Sequence, residues 1–72
     1  GEYIDDAAIS NKVRAKLIDD KDLNVFQIDV TTYKGVVQLS GFVNSDSAKA
    51  RASSVVGSVE GVREIHNNLI VK

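Results

Sequence analysis

The segment from Ile28 to Val43 is the part of this sequence that most restricts the possible fold. Apolar and polar residues alternate through much of it, on both sides of the dipeptide Lys34-Gly35. Alternation with a period of two is typical of a strand with one buried face, and a glycine between two such runs favours a tight turn. The segment therefore predicts a β-hairpin. It contains no nucleophile motif, metal-ligand cluster or phosphate-binding loop, so we interpret the chain as a binding module and not as an enzyme.

The charge and length of the chain narrow its class. Nine basic and ten acidic side chains give the 72 residues a net charge of −1. Domains that neutralise nucleic-acid phosphates are usually clearly basic, so we expect no nucleic-acid partner. No apolar run approaches the ~20 residues that span a bilayer, and these residues include no signal peptide. The length fits one domain over residues 1–72, with too little interior for a deep active-site cavity.

Two stretches on either side of the hairpin have the periodicity of helices. The first predicts a helix from about Asp6 to Asp20, which begins with acidic residues suited to a helix N-terminus. The second predicts a helix that follows a cap at Asn44 or Ser45 and runs to about Val59. The helix residues expected in the core are Ile9, Val13, Leu17, Ala48, Ala52, Val55, Val56 and Val59.

The remaining element is a strand from about Val62 to Val71, after a left-handed turn at Gly61. A crossover through the second helix makes the second and third strands parallel. We predict an α+β fold: a single αββαβ domain with two helices packed on one face of a three-stranded mixed sheet, the second strand in the middle. The strand residues expected to face the helices are Ile28, Val30, Thr32, Val37, Leu39, Gly41, Val43, Ile65, Asn67, Leu69 and Val71. A glycine at core position 41 indicates close approach by a helix or a local bend.

This pattern resembles the BON domain, a family named for bacterial osmotically inducible and nodulation specificity proteins. The resemblance covers nearly the whole chain. It depends on the spacing of all the matched residues together, since each one alone is weak evidence. The residues that carry it are Asp6, Ile9, Val13 and Leu17 in the first helix, Ile28, Val30, Gly35, Val36, Val37, Leu39, Gly41 and Val43 in the hairpin, and Ala52, Val56, Gly61, Val62, Ile65, Asn67, Leu69 and Val71 in the last helix and strand.

The resemblance implies a non-enzymatic module of the bacterial cell envelope, located in the periplasm. BON domains are associated with phospholipid membranes and with envelope integrity under osmotic stress. The partners implied are therefore a phospholipid membrane surface and, besides it, a second BON copy or another envelope protein. The resemblance implies no cofactor and no catalytic residue.

A lipid-binding surface is predicted on the first helix. A second stripe, formed by Ile4, Ala8, Asn11, Ala15 and Ile18, lies on a side well removed from the core stripe. Lys12 and Arg14 flank this stripe and Lys16 adds a third cation, an arrangement suited to anionic head groups. In one interpretation the side packs against the second helix, or the helix unwinds at Ile18, and the cations are solvated beside aspartates. In the other, Lys12, Arg14, Lys16, Ile4 and Ile18 bind lipid.

A second candidate surface is the sheet face without helices. Tyr33, Val36, Phe42 and Ile70 are expected to point away from both helices. An uncovered face with two aromatic residues is suited to docking a partner or a second copy of the domain. Isolated exposed apolar residues are also common on protein surfaces, so both interpretations stay open.

Other sequence patterns that could form a metal site or a catalytic site are incomplete. The acidic loop 20–24 has the first ligand spacing of a calcium-binding loop, but Val25 stands where the glycine belongs and Thr31 where the bidentate glutamate belongs. His66 has no second ligand nearby in sequence, and Ser40 lies outside a Gly-x-Ser-x-Gly elbow. We therefore predict no metal site and no catalytic residue.

Overall fold

The chain order of the elements is the predicted one. The structure, a computed structural model, describes residues 5–21, 23 and 27–72. Its elements are α1 (Asp6–Asp19), β1 (Ile28–Tyr33), β2 (Val36–Val43), α2 (Asp46–Gly57) and β3 (Glu64–Val71). α2 ends before Val59 because the backbone N–H groups of Ser58 and Val59 donate to carbonyls three residues back, at 3.2 and 3.1 Å, which tightens the last turn and closes the helix.

The sheet has β2 in the middle, as predicted. β1 pairs with β2 in antiparallel register, from Tyr33 opposite Val36 to Ile28 opposite Gly41. β3 pairs with β2 in parallel register along the whole of both strands. The sheet thus has a turn end, where the hairpin turns and β3 begins, and a far end, where β2 and β3 finish.

Both helices lie on one face of this sheet and enclose the core. α1 packs on β1 and on α2, while α2 packs on β3 and β2. No polar or charged residue is buried as a whole in the part of the chain that the structure describes. The buried apolar residues are Ile9, Val13, Leu17, Leu23, Ile28, Val30, Val37, Leu39, Val43, Ala48, Ala52, Val56, Val59 and Leu69. This set confirms the predicted alternation and helix stripes except at three apolar side chains: Val55 and Ile65 are only partly buried against the core, and Val71, expected to face the helices, is 38% exposed at the end of β3.

Each helix begins at a side-chain cap. The Asp5 carboxylate accepts a hydrogen bond from the backbone N–H of Ala7 at 2.8 Å. At α2 the hydroxyl of Ser45, one of the two predicted caps, accepts from the N–H of Ala48 at 3.1 Å. Both bonds satisfy donors that the first helical turn leaves without a partner, so the two starts are fixed locally.

The hairpin turn is held from two sides at Gly35. Lys34 and Gly35 have φ values of 51° and 83°, as a two-residue type I′ turn requires. The Asp6 carboxylate accepts from both of their N–H groups, at 2.7 Å from Lys34 and 3.0 Å from Gly35. The Gly35 carbonyl accepts from the N–H of Arg63 at 2.8 Å. A Cβ at Gly35 would lie 2.8 Å from the Arg63 side chain and 3.1 Å from the Gly61 carbonyl oxygen. The turn therefore joins the start of α1 to the approach into β3.

Position 41 requires a glycine because the backbone just before β1, at Gln27, passes close to it, and not because a helix does. Its φ is 120°, and a Cβ built there would lie 1.8 Å from the carbonyl oxygen of Gln27. The expectation that a helix approaches this glycine is wrong. The chain entering β1 crosses close to β2 at this point, and no side chain larger than hydrogen fits between them.

We predict that Gly41→Ala lowers the free energy of unfolding by at least about 2 kcal/mol, because the new methyl group meets a backbone atom and alanine disfavours the positive φ. Urea unfolding followed by circular dichroism measures this loss. Gly57→Ala is the control, since its Cβ would make an ordinary 3.7 Å contact with Ile65. We expect this control to be neutral or to gain up to about 1 kcal/mol. Equal stability of the two variants would contradict the account of Gly41.

We also predict that Asp6→Ala destabilises the fold by about 1–3 kcal/mol, because two backbone donors of the turn lose a charged acceptor. Asp19→Ala is its control: the same substitution at the exposed end of α1, where a negative charge opposes the helix dipole and its removal costs little. The measurement is again the urea midpoint. An Asp6 variant as stable as the Asp19 variant would show that the carboxylate does not hold the turn.

Candidate binding surfaces

The second stripe of α1 faces solvent. Asn11 and Ala15 are exposed, Ala8 is half-buried, and Ile18 is 64% exposed within the helix. Ile4 lies outside the residues that the structure describes. The interpretation that this side packs against α2 is therefore wrong, and so is the one in which α1 unwinds at Ile18. The physical reason is that α2 lies elsewhere on α1, beside Lys16 and Asp20, where the two helices line a shared groove.

The three cations of α1 do not form one cluster. Residues two apart on a helix differ by about 200° around its axis, so Arg14 leaves the helix on the side opposite to Lys12 and Lys16, which are four residues apart and share one side. The Arg14 guanidinium reaches over the edge of β1, where its Nη2 donates to the Val30 carbonyl at 3.3 Å. Lys16 lies on the α2 side, in the groove that also holds Asp19. Lys12 and Arg14 thus flank the exposed stripe as predicted, and Lys16 does not.

Carboxylates reduce the positive potential near Lys16. Asp20, whose side chain is nearly buried, forms an ion pair with Arg51 of α2. Asp19 is exposed in the same groove. An anionic surface would therefore be attracted mainly by Lys12 and Arg14. We use the name α1 outer surface for Asn11, Lys12, Arg14, Ala15 and Ile18. That these residues bind lipid stays a prediction.

The four apolar residues predicted on the open sheet face do lie there, but they form two separate pairs. Tyr33 is 68% exposed and pairs with the half-buried Val36 at the turn end. Phe42 and Ile70, 40% and 57% exposed, are register partners at the far end. The distance between the pairs is roughly 20 Å, six residues along a strand. The exposed residues between them are polar: Asp29, Thr31, Gln38, Ser40, His66 and Asn68. The face is therefore not one continuous apolar patch.

A lysine lies over each exposed aromatic ring. The Nζ of Lys34 is 5.4 Å from the Tyr33 ring centroid, and the Nζ of Lys72 is 4.8 Å from that of Phe42. Ammonium groups at these distances are attracted by the ring face. Neither contact is among the sequence-based predictions. Lys34 follows Tyr33 directly, which was an available signal, whereas Lys72 meets Phe42 only through the register of β2 and β3.

The exposed apolar residues are concentrated toward the far end of the molecule. α1 begins at the hairpin turn, where Asp6 binds it, and passes Val30 at Arg14. Its last turn therefore lies toward the far end of the sheet, on the side opposite to Phe42 and Ile70. Ile18 is in that last turn, so the α1 outer surface is most apolar at its C-terminal end.

The described residues hold no cluster suited to a metal ion. No group of three or more His, Asp or Glu side chains in that part of the chain could hold one. His66 is exposed, with its Nε2 3.5 Å from a Glu64 carboxylate oxygen, and Ser40 is exposed on the open sheet face. In the acidic loop 20–24, for which the sequence predicts no calcium site, residues 22 and 24 lie outside the described part of the chain. Neither α1 nor α2 is long and apolar enough to cross a membrane.

Comparison with known proteins agrees with this architecture. The sequence model of the BON domain matches residues 5–72. Over 72 residues the chain is 40% identical to osmotically-inducible protein Y of Escherichia coli (strain K12). The alignment covers 100% of this chain and 36% of that relative, so the chain spans about a third of the relative's length. Such a family match points to a non-catalytic module. Since it covers nearly every residue, the chain belongs to the BON domain family.

Proposed function

We propose that the chain is a non-enzymatic, periplasmic module of the bacterial cell envelope that attaches peripherally to phospholipid membranes. The α1 outer surface makes the contact, and the attachment supports the envelope under osmotic stress. Membership of the BON family and the name of the E. coli relative, an osmotically inducible protein, support the envelope and stress parts of this proposal. The chemistry of α1 supports the membrane part.

The observation that carries the membrane contact is the exposure of Ile18 between flanking cations. Ile18 is 64% exposed, and the outward positions nearest it on the helix are the small Ala15 and the polar Asn11. A helix with an outward isoleucine and cations on either side of it can place the isoleucine among acyl chains and the cations among phosphates. No other side of α1 combines these two features in the residues described.

The expected affinity of this contact is low. Burying an isoleucine contributes about 2 kcal/mol, and each cation near an anionic leaflet about 1 kcal/mol. One domain would then bind with about 4 kcal/mol, a Kd of roughly 1 mM. Attachment through one copy is therefore reversible and salt-sensitive, and several copies on one chain or assembly would strengthen it by avidity.

Co-sedimentation with vesicles tests the proposal. We expect the chain to bind phosphatidylcholine vesicles that contain phosphatidylglycerol, at low salt, and to bind vesicles of phosphatidylcholine alone much less. The double variant Lys12→Glu/Arg14→Glu loses the binding because both flanking charges are reversed. Ile18→Ser weakens it severalfold because the inserted group is removed.

Lys72→Glu is the matched control, because it reverses one exposed cation on the opposite face of the sheet. We expect it to bind vesicles as the unaltered chain does. If no variant binds less than the unaltered chain, or if vesicles never retain it, the proposed membrane contact is wrong. If Lys72→Glu alone loses binding, the membrane meets the open sheet face instead.

A second candidate function is a protein-interaction or spacer domain that docks another envelope domain through the open sheet face. The observation that favours it is the pair Phe42 and Ile70, which are exposed neighbours in adjacent strands. Titrating the isotope-labelled chain with an unlabelled BON domain tests it by NMR. The backbone amides of Phe42 and Ile70 should shift, with smaller changes at Tyr33 and Val36 across the polar rows. Shifts confined to α1 would contradict docking through the sheet.

A further inference from the structure

β1 is an edge strand with hydrogen-bonding groups that point out of the sheet. In an antiparallel pair, residues alternate between those that exchange hydrogen bonds with the neighbour and those whose backbone groups point away. Tyr33 and Val36 flank the two-residue turn and exchange bonds, so Thr32, Val30 and Ile28 direct their N–H and C=O groups outward. The Arg14 bond to the Val30 carbonyl agrees with this direction. Apart from the Val30 carbonyl, which accepts from Arg14, β1 thus presents unpaired donors and acceptors at the spacing of a strand.

A groove follows this edge on the α1 side. It is lined by Asp6, Ala7, Ser10, Asn11, Arg14, Val30, Thr31 and Thr32. Two of its polar groups are engaged, because Asp6 holds the hairpin turn and the Ser10 hydroxyl donates to the Thr32 hydroxyl at 2.8 Å. Arg14 is different: at 3.3 Å its bond to the Val30 carbonyl is at the long limit for an N–H···O bond. A guanidinium carries about five N–H donors, so this side chain retains capacity for a carboxylate.

The opposite edge of the sheet is closed by its own side chain. The Asn67 Oδ1 accepts from the Leu69 N–H at 3.1 Å. The Asn67 amide nitrogen donates to the Lys49 carbonyl at 2.8 Å and to the Ser53 hydroxyl at 2.6 Å. This amide thus occupies an edge donor of β3 and is itself fixed to α2. Among the described residues, Arg14 is the side chain that meets an outward backbone group of β1, at the Val30 carbonyl, and no side chain accepts from an outward N–H of β1 as Asn67 does on β3, so the two edges differ.

A second copy of the domain cannot add its own β1 to this edge. Antiparallel pairing of two identical edge strands places both helix layers on the same side of the joined sheet. Neighbouring strands are about 4.8 Å apart, whereas packed helices need 8–10 Å between their axes. Because α1 packs on β1, the two α1 helices would overlap. An extended segment without a helix over it meets no such barrier.

We propose that the β1 edge binds an extended polypeptide segment as a fourth strand, and that an acidic side chain on this segment pairs with Arg14. The segment's backbone satisfies the outward groups of Val30 and Thr32, as in other cases of strand addition. Its carboxylate draws the guanidinium from the Val30 carbonyl and leaves that carbonyl free for a segment N–H. Arg14 is then a specificity-determining residue for the partner, in addition to any contact it makes with lipid.

A matched pair of blocked heptapeptides tests the proposal. One has the sequence Thr-Val-Thr-Asp-Thr-Val-Thr, which favours an extended strand, and its twin has lysine in place of aspartate. Titrated into the full isotope-labelled chain, the aspartate peptide should shift the amides of Val30 and Thr32 and slow their hydrogen exchange. We expect it to bind at least about fivefold more tightly than its twin, since a carboxylate meets a guanidinium.

Arg14→Glu should reverse this preference, and Arg14→Gln should abolish it while leaving the backbone pairing. Lys12→Glu, which reverses a neighbouring cation that does not contact β1, should leave the preference unchanged. Three results would overturn the proposal: no shift at β1 with millimolar peptide, shifts at β3 instead of β1, or equal binding of the twins by the unaltered chain. These results do not depend on vesicles, so they are independent of the membrane proposal.

Discussion

The hydrogen bonds at Gly35 are the constraint on which the rest of this fold depends. Gly35, whose φ is positive, donates its N–H to the Asp6 carboxylate of α1. Its C=O accepts from the N–H of Arg63, just before β3. The hairpin turn, the first helix and the return of the chain from the second helix therefore meet at one end of the sheet. With that end fixed, α1 runs along β1 and β3 runs beside β2. Both helices then close over the same face, where all the buried apolar side chains of the described residues lie.

A small domain that uses its interior for this core must meet its partners on the outside. Three outside surfaces differ in chemistry. The α1 outer surface combines an exposed isoleucine with flanking cations. The open sheet face has two apolar pairs, each with one aromatic residue, separated by polar side chains. The β1 edge presents backbone groups. Arg14 belongs to the first and the third. If a lipid phosphate and an acidic extended segment both use its guanidinium, they compete for it, so membrane attachment and strand addition would be linked through this residue.

The fold could be predicted from the sequence because its determinants are local. The period of two around Lys34-Gly35 defines the hairpin, and Ile9, Val13 and Leu17 define the buried side of α1. The surfaces could be predicted only in part, since they depend on how elements meet. The helical positions of Lys12 and Ile18 place them outward, but only the packing of α2 beside Lys16 shows that the second stripe is uncovered. Likewise, alternation puts Tyr33 and Phe42 on one face, whereas the register separates them. The partner of Gly41 is a backbone oxygen, and no residue pattern encodes its position.

Paramagnetic relaxation by spin-labelled phospholipid in anionic vesicles maps, residue by residue, the surface of this domain that meets a membrane. If α1 makes the contact, the amides of Asn11, Ala15 and Ile18 broaden most, with Lys12 and Arg14 next to them. Amides of the open sheet face, including Tyr33 and Gln38, should keep their intensity. Broadening centred on β2 and β3 with α1 unaffected, or no broadening at any lipid concentration, would show that the α1 outer surface does not meet the membrane.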